Sequence, residues 1–174
     1  MSLRKSGMSS HQSAVNLSDT WLTPPSLLSR LGVFDLDPCA APEPRPWATA
    51  NLHYAQPTQD GLALPWAGRV WLNPPYGGPA VIGPWLRRMM RHRHGTALIF
   101  ARTETVLFHE AVWNAATAVL FLRGRLFFHR ADGVAAEHNA GAPSCLVAYG
   151  ESDAAYLRRM EDLGCCVDLV DVAA

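Results

Sequence analysis

The stretch Arg69–Gly78, "RVWLNPPYGG", decides how the rest of the chain reads. Its first half is an apolar run of strand-forming side chains that halts at Asn73. Two prolines, a tyrosine and two glycines follow. The next segment, Pro79–His94, sets Val81, Ile82, Trp85, Leu86 and Met89 on one helical face. A buried strand that runs through a tight turn into an amphipathic helix is the repeating step of an α/β fold.

The same step recurs on either side. "VFDLD" (Val33–Asp37), "TALIF" (Thr96–Phe100), "AVLFLRG" (Ala118–Gly124), "SCLVAYG" (Ser144–Gly150) and "CCVDLVDV" (Cys165–Val172) read as short buried strands. Glu104–Ala116 reads as a helix, and a second helix runs from a Ser152 cap to Gly164. A short helix is expected after Thr23 as cap, with Pro24 at its first position and Gly32 as its stop. Residues 38–68 hold six prolines and little periodicity, so they read as loop. "RLFFHR" (Arg125–Arg130) is expected to pair with the residues just after it. This alternation predicts an α/β fold with a largely parallel sheet. In such sheets ligands bind beyond the carboxyl ends of the strands. Asp37 and Asn73 each stand at such an end and share one crevice if their strands are neighbours.

The chain has 174 residues, the size of one domain with a proper core, and 49 % of them are apolar. Residues 1–18 are polar and aperiodic and read as a loose tail, leaving 19–174 as the domain. Fifteen basic and fifteen acidic side chains balance to zero, so bulk charge selects neither nucleic acid nor a membrane surface as partner. Any basic surface must be local. Cys39, Cys145, Cys165 and Cys166 form no C-x-x-C pair and read as reduced thiols of a cytoplasmic protein. No apolar run approaches the ~20 residues of a membrane span. His92 and His94 are spaced i, i+2 and Cys39 stands alone, so no metal site is expected.

The chemistry of the turn is specific. Proline has no N–H, so Asn73 and Pro74 present carbonyl oxygens with few competing donors nearby. Pro75 biases Pro74 toward an extended conformation. The Asn73 amide adds a side-chain acceptor. Adjacent acceptors suit a group with two N–H bonds, such as an exocyclic NH2. Tyr76 adds a flat face, and stacking on a base is worth ~1–3 kcal/mol. Gly77 and Gly78 let the backbone approach a ligand closely. An aromatic amine is a poor nucleophile because its lone pair is delocalised into the ring. Accepting both hydrogens draws density onto nitrogen, so the turn suits methylation of an amino group on a planar base.

Asn73-Pro-Pro-Tyr76 resembles the catalytic motif of S-adenosylmethionine-dependent amino methyltransferases. Further pieces resemble the phage-type DNA N6-adenine methyltransferase (Dam) family: "DTWLTP" (Asp19–Pro24), "FDLDPCA" (Phe34–Ala40), "QDGLALPW" (Gln59–Trp66), "ARTETVLFH" (Ala101–His109) and "LRGRLFF" (Leu122–Phe128). The resemblance implies a Rossmann-like methyltransferase fold, S-adenosylmethionine as cofactor, DNA as partner and a bacterial or phage-infected cytoplasm. It implies that Trp21, Thr23 and Pro24 close over the methionine end of the cofactor. It implies that Asp37 and Pro38 hold the cofactor and that Asp60 lies beside its adenosine amino group. Asn73, which also contacts cofactor, would grip the target adenine with Pro74, and Tyr76 would stack on it.

Two departures from the wider methyltransferase pattern stand out. The loop after the first strand, "DPCAAPEPRP", has no glycine. Only 35 residues separate Asp37 from Asn73, and a βαβ unit needs roughly 30. The sheet should therefore have a reduced edge, which the carboxyl-terminal strand is a candidate to fill. Arg87, Arg88, Arg91 and Arg93 share one helix and read as a solvated face. Arg102, Arg123 and Arg125 follow strands on the ligand side and are the candidates for DNA contact. No obvious separate recognition segment stands out, so either the 131–142 loop reads DNA sequence or specificity is expected to be low. The expected reaction is methyl transfer to the amino group of adenine in DNA. The alternatives are an amino methyltransferase acting on RNA or protein glutamine, and a non-catalytic nucleic-acid-binding relic.

Overall fold

The computed structural model describes residues 20–169. The expected tail, and the end of the expected last strand from Val170 on, lie outside the described residues. A seven-stranded sheet organises the described residues. Its strands are β1 (Leu36–Asp37), β2 (Leu52–His53), β3 (Val70–Leu72), β4 (Gly95–Phe100), β5 (Ala118–Leu122), β6 (Ser144–Tyr149) and β7 (Gly164–Asp168), in the order β2-β1-β3-β4-β6-β5-β7. The helices are α1 (Pro25–Leu28), α2 (Pro79–His92), α3 (Val106–Phe108), which continues into a π-helical turn at His109–Trp113, and α4 (Glu151–Arg158).

The sheet is mixed, which corrects the expectation of a mostly parallel one. The pairings of β1 with β2, β1 with β3 and β3 with β4 are parallel, whereas β6 pairs antiparallel with both β4 and β5, and β7 antiparallel with β5. The reason lies between β5 and β6. A parallel return requires a crossover, usually helical, but an antiparallel one needs only a loop. Residues 123–143 carry no helical apolar period. They instead form a small ribbon in which His129 bridges both Leu22 and Ala135. The expected pairing of Arg125–Arg130 with the residues after it is thus present. β2 is a two-residue edge strand with Leu52 half exposed, too short and too polar to show in the sequence. β7 lies at the opposite edge, so the reduced edge is not filled by the carboxyl-terminal strand.

Strand alternation divides the core between the two faces. Trp71, Leu98, Leu120 and Leu146 point to one side and pack with Leu27, Leu31 and Leu157 of the α1 and α4 regions. Val70, Leu72, Ala97, Ile99 and Val119 point to the other and pack with Leu86 and Met89 of α2 and Phe108. Local signals differ in detail from expectation. Pro24, not Thr23, is the cap residue of α1, and Gly150, not Ser152, that of α4. α4 ends at Arg158, and Gly164 opens β7 rather than closing a helix. α2 stops at His92 because Arg93 turns left-handed at φ 58°.

A buried staple fixes the amino end of β3. The Arg69 guanidinium lies over the rings of Phe34 and Tyr156, 4.2 and 4.3 Å from their centroids. It donates to Asp153 at 2.8 Å and to the carbonyls of Leu31 and Val33, while Thr96 donates to the same Asp153 oxygen.

Candidate functional site

The chain passes from β1 outward to β2, then returns to the other side of β1 as β3. This reversal is the switch point at which open α/β sheets bind ligands. Asp37 ends β1 and Asn73 comes directly after β3, so the two expected residues stand at the same end of neighbouring parallel strands. Arg102 lies just beyond β4 and Arg123 just beyond β5, at the same end of the sheet.

The loop that follows β1 is tightly folded around Asp37. Asp37 is buried, and both its oxygens are engaged: one accepts from the Cys39 N–H at 3.0 Å, the other from the Thr49 hydroxyl. Burial raises its pKa to about 6, against the opposing pull of Thr49, Cys39 and Arg45. His53, level with Asp37 on β2, accepts the Thr49 and Ala50 N–H groups. Partial burial and the Arg45 guanidinium hold its imidazole below the usual range, which keeps that nitrogen an acceptor. Asp60 is exposed, and one of its oxygens closes a turn on the Leu62 N–H at 2.9 Å. Its neighbour Gly61 presses on Pro38: a β-carbon there would stand 1.7 Å from the Pro38 carbonyl oxygen. Only glycine permits this approach, and it joins the Asp60 turn to the Asp37-Pro38 loop.

The Asn73 turn is held from two sides. Its amide nitrogen donates to the Trp21 carbonyl at 2.9 Å, and its backbone carbonyl accepts from the Cys39 thiol at 3.2 Å. The first bond fixes the amide's orientation, because a carbonyl can only accept. The second takes one of the backbone oxygens expected to be open to a ligand. Two acceptors remain. Asn73 Oδ1 is enclosed and unpartnered, and among the described residues no hydrogen bond ends on the carbonyl of buried Pro74. The hydroxyls of Thr23 and Ser144 are likewise buried without partners.

Trp21, Thr23 and Pro24 form a strap across this region. Leu22 and His129 exchange two backbone hydrogen bonds, at 2.8 and 2.9 Å, and Trp21 receives the Asn73 amide. Tyr76 is half-buried. Its ring lies 4.4 Å from that of Phe100 and edge-on to Phe128, and burial raises its phenol pKa. One face of the expected stacking residue is thus backed by another aromatic. Arg102, Arg123 and Arg125 are exposed, and Arg125 donates to the Ala140 carbonyl. The α2 arginines differ: Arg87 grips Glu110 with two bonds, and Arg88 lies over Trp66 and donates to the Leu62 and Leu64 carbonyls.

Cys39, Thr49, Phe100 and Phe128 build the site without having been marked for it by the sequence. Thr49 lies in a proline-rich loop without periodicity. A lone cysteine in a sequence raises the questions of disulfide and metal, not of a hydrogen bond to a distant carbonyl. Phe100 shows one usable signal: strand alternation puts it on the face of Leu98, toward Tyr76.

The sheet and its switch-point turn have the character of a methyltransferase-like fold. The chain belongs to the DNA N-6-adenine-methyltransferase (Dam) family, whose model matches residues 10–157. No curated protein and no solved structure matches it significantly. Among the described residues no helix is long and apolar enough to cross a membrane.

Proposed function

We propose that this protein transfers a methyl group from S-adenosylmethionine to the exocyclic amino group of adenine in DNA. The observation that carries this reading is the enclosed, unpartnered Asn73 Oδ1, on the residue before Pro74, whose carbonyl receives no hydrogen bond among the described residues. A buried acceptor without a donor costs about 1–3 kcal/mol, so its natural complement is a ligand N–H. Two acceptors on consecutive residues match the two hydrogens of one NH2.

The residues around the switch point fit the cofactor. The unpartnered Thr23 hydroxyl, with Trp21 and Pro24, suits the polar methionine end. The Asp37-Pro38 loop forms the floor, and the free Asp60 oxygen can accept from an adenosine amino group. When bound, the cofactor supplies an electrophilic methyl on a sulfonium. The protein's own part is positional and electrostatic. Asn73 and Pro74 turn the amino lone pair toward the donor, and the remaining face of Tyr76 holds the base plane. A duplex adenine would be flipped out at a cost of a few kcal/mol. Arg102, Arg123 and Arg125 would hold phosphates beside the crevice.

The test is a labelled-methyl assay with purified protein and DNA, RNA and protein acceptors. Label is expected at N6 of adenine in DNA, and Asn73→Ala should abolish it while leaving the fold intact. Label in RNA or protein alone would move the acceptor. Absence of heat on titration with S-adenosylmethionine would point to a non-catalytic relic.

A further inference from the structure

Asn73, Pro74 and Pro75 form a short rigid body. Proline fixes φ at Pro74 and Pro75, and Pro75 restricts ψ at Pro74. An anchor on the Asn73 carbonyl therefore fixes the backbone carbonyls of the unit, while the side-chain amide is held by Trp21. That anchor comes from the other strand end: the Cys39 thiol donates to the Asn73 carbonyl at 3.2 Å across 34 residues of chain. Cys39 is itself held, because its N–H is bound by Asp37, and Asp37 by Thr49. Gly61, pressed on Pro38, braces the same loop from outside.

We propose that Cys39 is a positioning residue, whose thiol bond to the Asn73 carbonyl sets the Asn73-Pro74 acceptors at a fixed place relative to the Asp37 loop. The proposal rests on the methyl-transfer reading above. Desolvation, reinforced by the neighbouring Asp37 charge, pushes the thiol pKa well up, so the group remains a donor at neutral pH. By claiming the Asn73 carbonyl, the thiol leaves Asn73 Oδ1 and the Pro74 carbonyl as the pair for the amino group. The floor assigned to the cofactor and the clamp assigned to the base thereby become one piece.

The test compares full-length wild type, Cys39→Ala and Cys39→Ser in labelled-methyl transfer to unmethylated DNA of mixed sequence, with cofactor affinity from calorimetry. A misplacement of about 1 Å can cost up to ~100-fold in rate. Cys39→Ala is expected to lower kcat about tenfold or more, with cofactor Kd within about twofold of wild type. Cys39→Ser keeps a donor and should recover most of the rate. Thermal unfolding of both variants confirms that they fold. Wild-type kcat in Cys39→Ala, or a Cys39→Ser as slow as Cys39→Ala, overturns the proposal. If wild type is active on DNA in that case, only the role of Cys39 fails. If wild type labels no DNA, the methyl-transfer reading fails and this inference with it.

Discussion

Asn73 gives an amide hydrogen to the carbonyl of Trp21, 2.9 Å away and 52 residues earlier in the chain. This bond does two things. It ties the strap to the turn, and it obliges the amide oxygen to face away from the Trp21 carbonyl. Asn73→Asp should therefore be worse than a simple loss of polarity, since it sets a carboxylate oxygen against the Trp21 carbonyl. Both Asn73→Ala and Asn73→Asp are expected to lower single-turnover methyl transfer by at least ~100-fold, the scale of losing one preorganised polar contact. The aspartate should also speed amide hydrogen exchange at residues 21–23, read by mass spectrometry. Unchanged exchange there would deny the strap its anchor.

Asp37 gives a dependence on pH with a definite sign. Its pKa in the folded protein, about 6, is above the ordinary 3.8. The folded state therefore binds this proton more tightly than the unfolded chain. The group's contribution is fully present below about pH 4 and is lost as pH rises through about 6, a swing of about 3 kcal/mol. Glu110, Asp132, Glu151 and Asp162 have lowered pKa values and drift the opposite way. The comparison must therefore be made against Asp37→Asn. Urea denaturation from pH 4 to 7 should show wild type losing stability relative to the variant. A constant difference across that range would refute the assignment.

The fit of Gly61 against Pro38 makes Gly61→Ala a probe of the proposed cofactor floor. The new methyl meets a backbone oxygen, which cannot swing aside. The Asp60 turn must then move away from the Asp37-Pro38 loop. Calorimetry with S-adenosylmethionine should show at least tenfold weaker binding. The neighbouring change Ala63→Gly, on an exposed residue of the same turn, should bind normally.

The arginines separate into two groups by what they touch. Arg102 and Arg123 are exposed beyond β4 and β5, whereas Arg87 is tied to Glu110. Replacing Arg102 or Arg123 by Gln should reduce the slope of log K against log salt for DNA binding by about 1. Arg87→Gln should leave the slope unchanged. Equal slopes for all three variants would remove the strand-end arginines from the DNA surface.

Asp153→Asn tests the staple beneath β3. It leaves the Arg69 guanidinium, 8 % exposed, without its counter-charge. The expected loss of stability is about 3–5 kcal/mol, measured by chemical denaturation. The exposed pair Arg30–Asp162, broken by Asp162→Asn, should change stability far less.

Legibility in the sequence tracks the strength of local chemistry. The Asn73 turn was legible because prolines and an apolar strand leave it few conformations. Asp37 was legible because it ends an apolar run, although that run contributes only Leu36 and Asp37 to the sheet. The antiparallel insertion of β6 was not legible, because direction depends on the path of 123–143, which has no periodic signal. The Cys39–Asn73 and Trp21–Asn73 bonds were hidden for a different reason. Each joins residues far apart in the chain through one side-chain atom, and spacing within a segment carries no trace of it.

The pairing of Leu22 with His129 has a consequence for how the molecule is made. The strap leaves the ribosome more than a hundred residues before His129, which pairs with it. A nascent chain that already contains the Asn-Pro-Pro-Tyr turn therefore still lacks the second anchor of its strap. The contacts around the turn are complete only once the ribbon between β5 and β6 has been synthesised, so a half-made polypeptide holds the turn from one side.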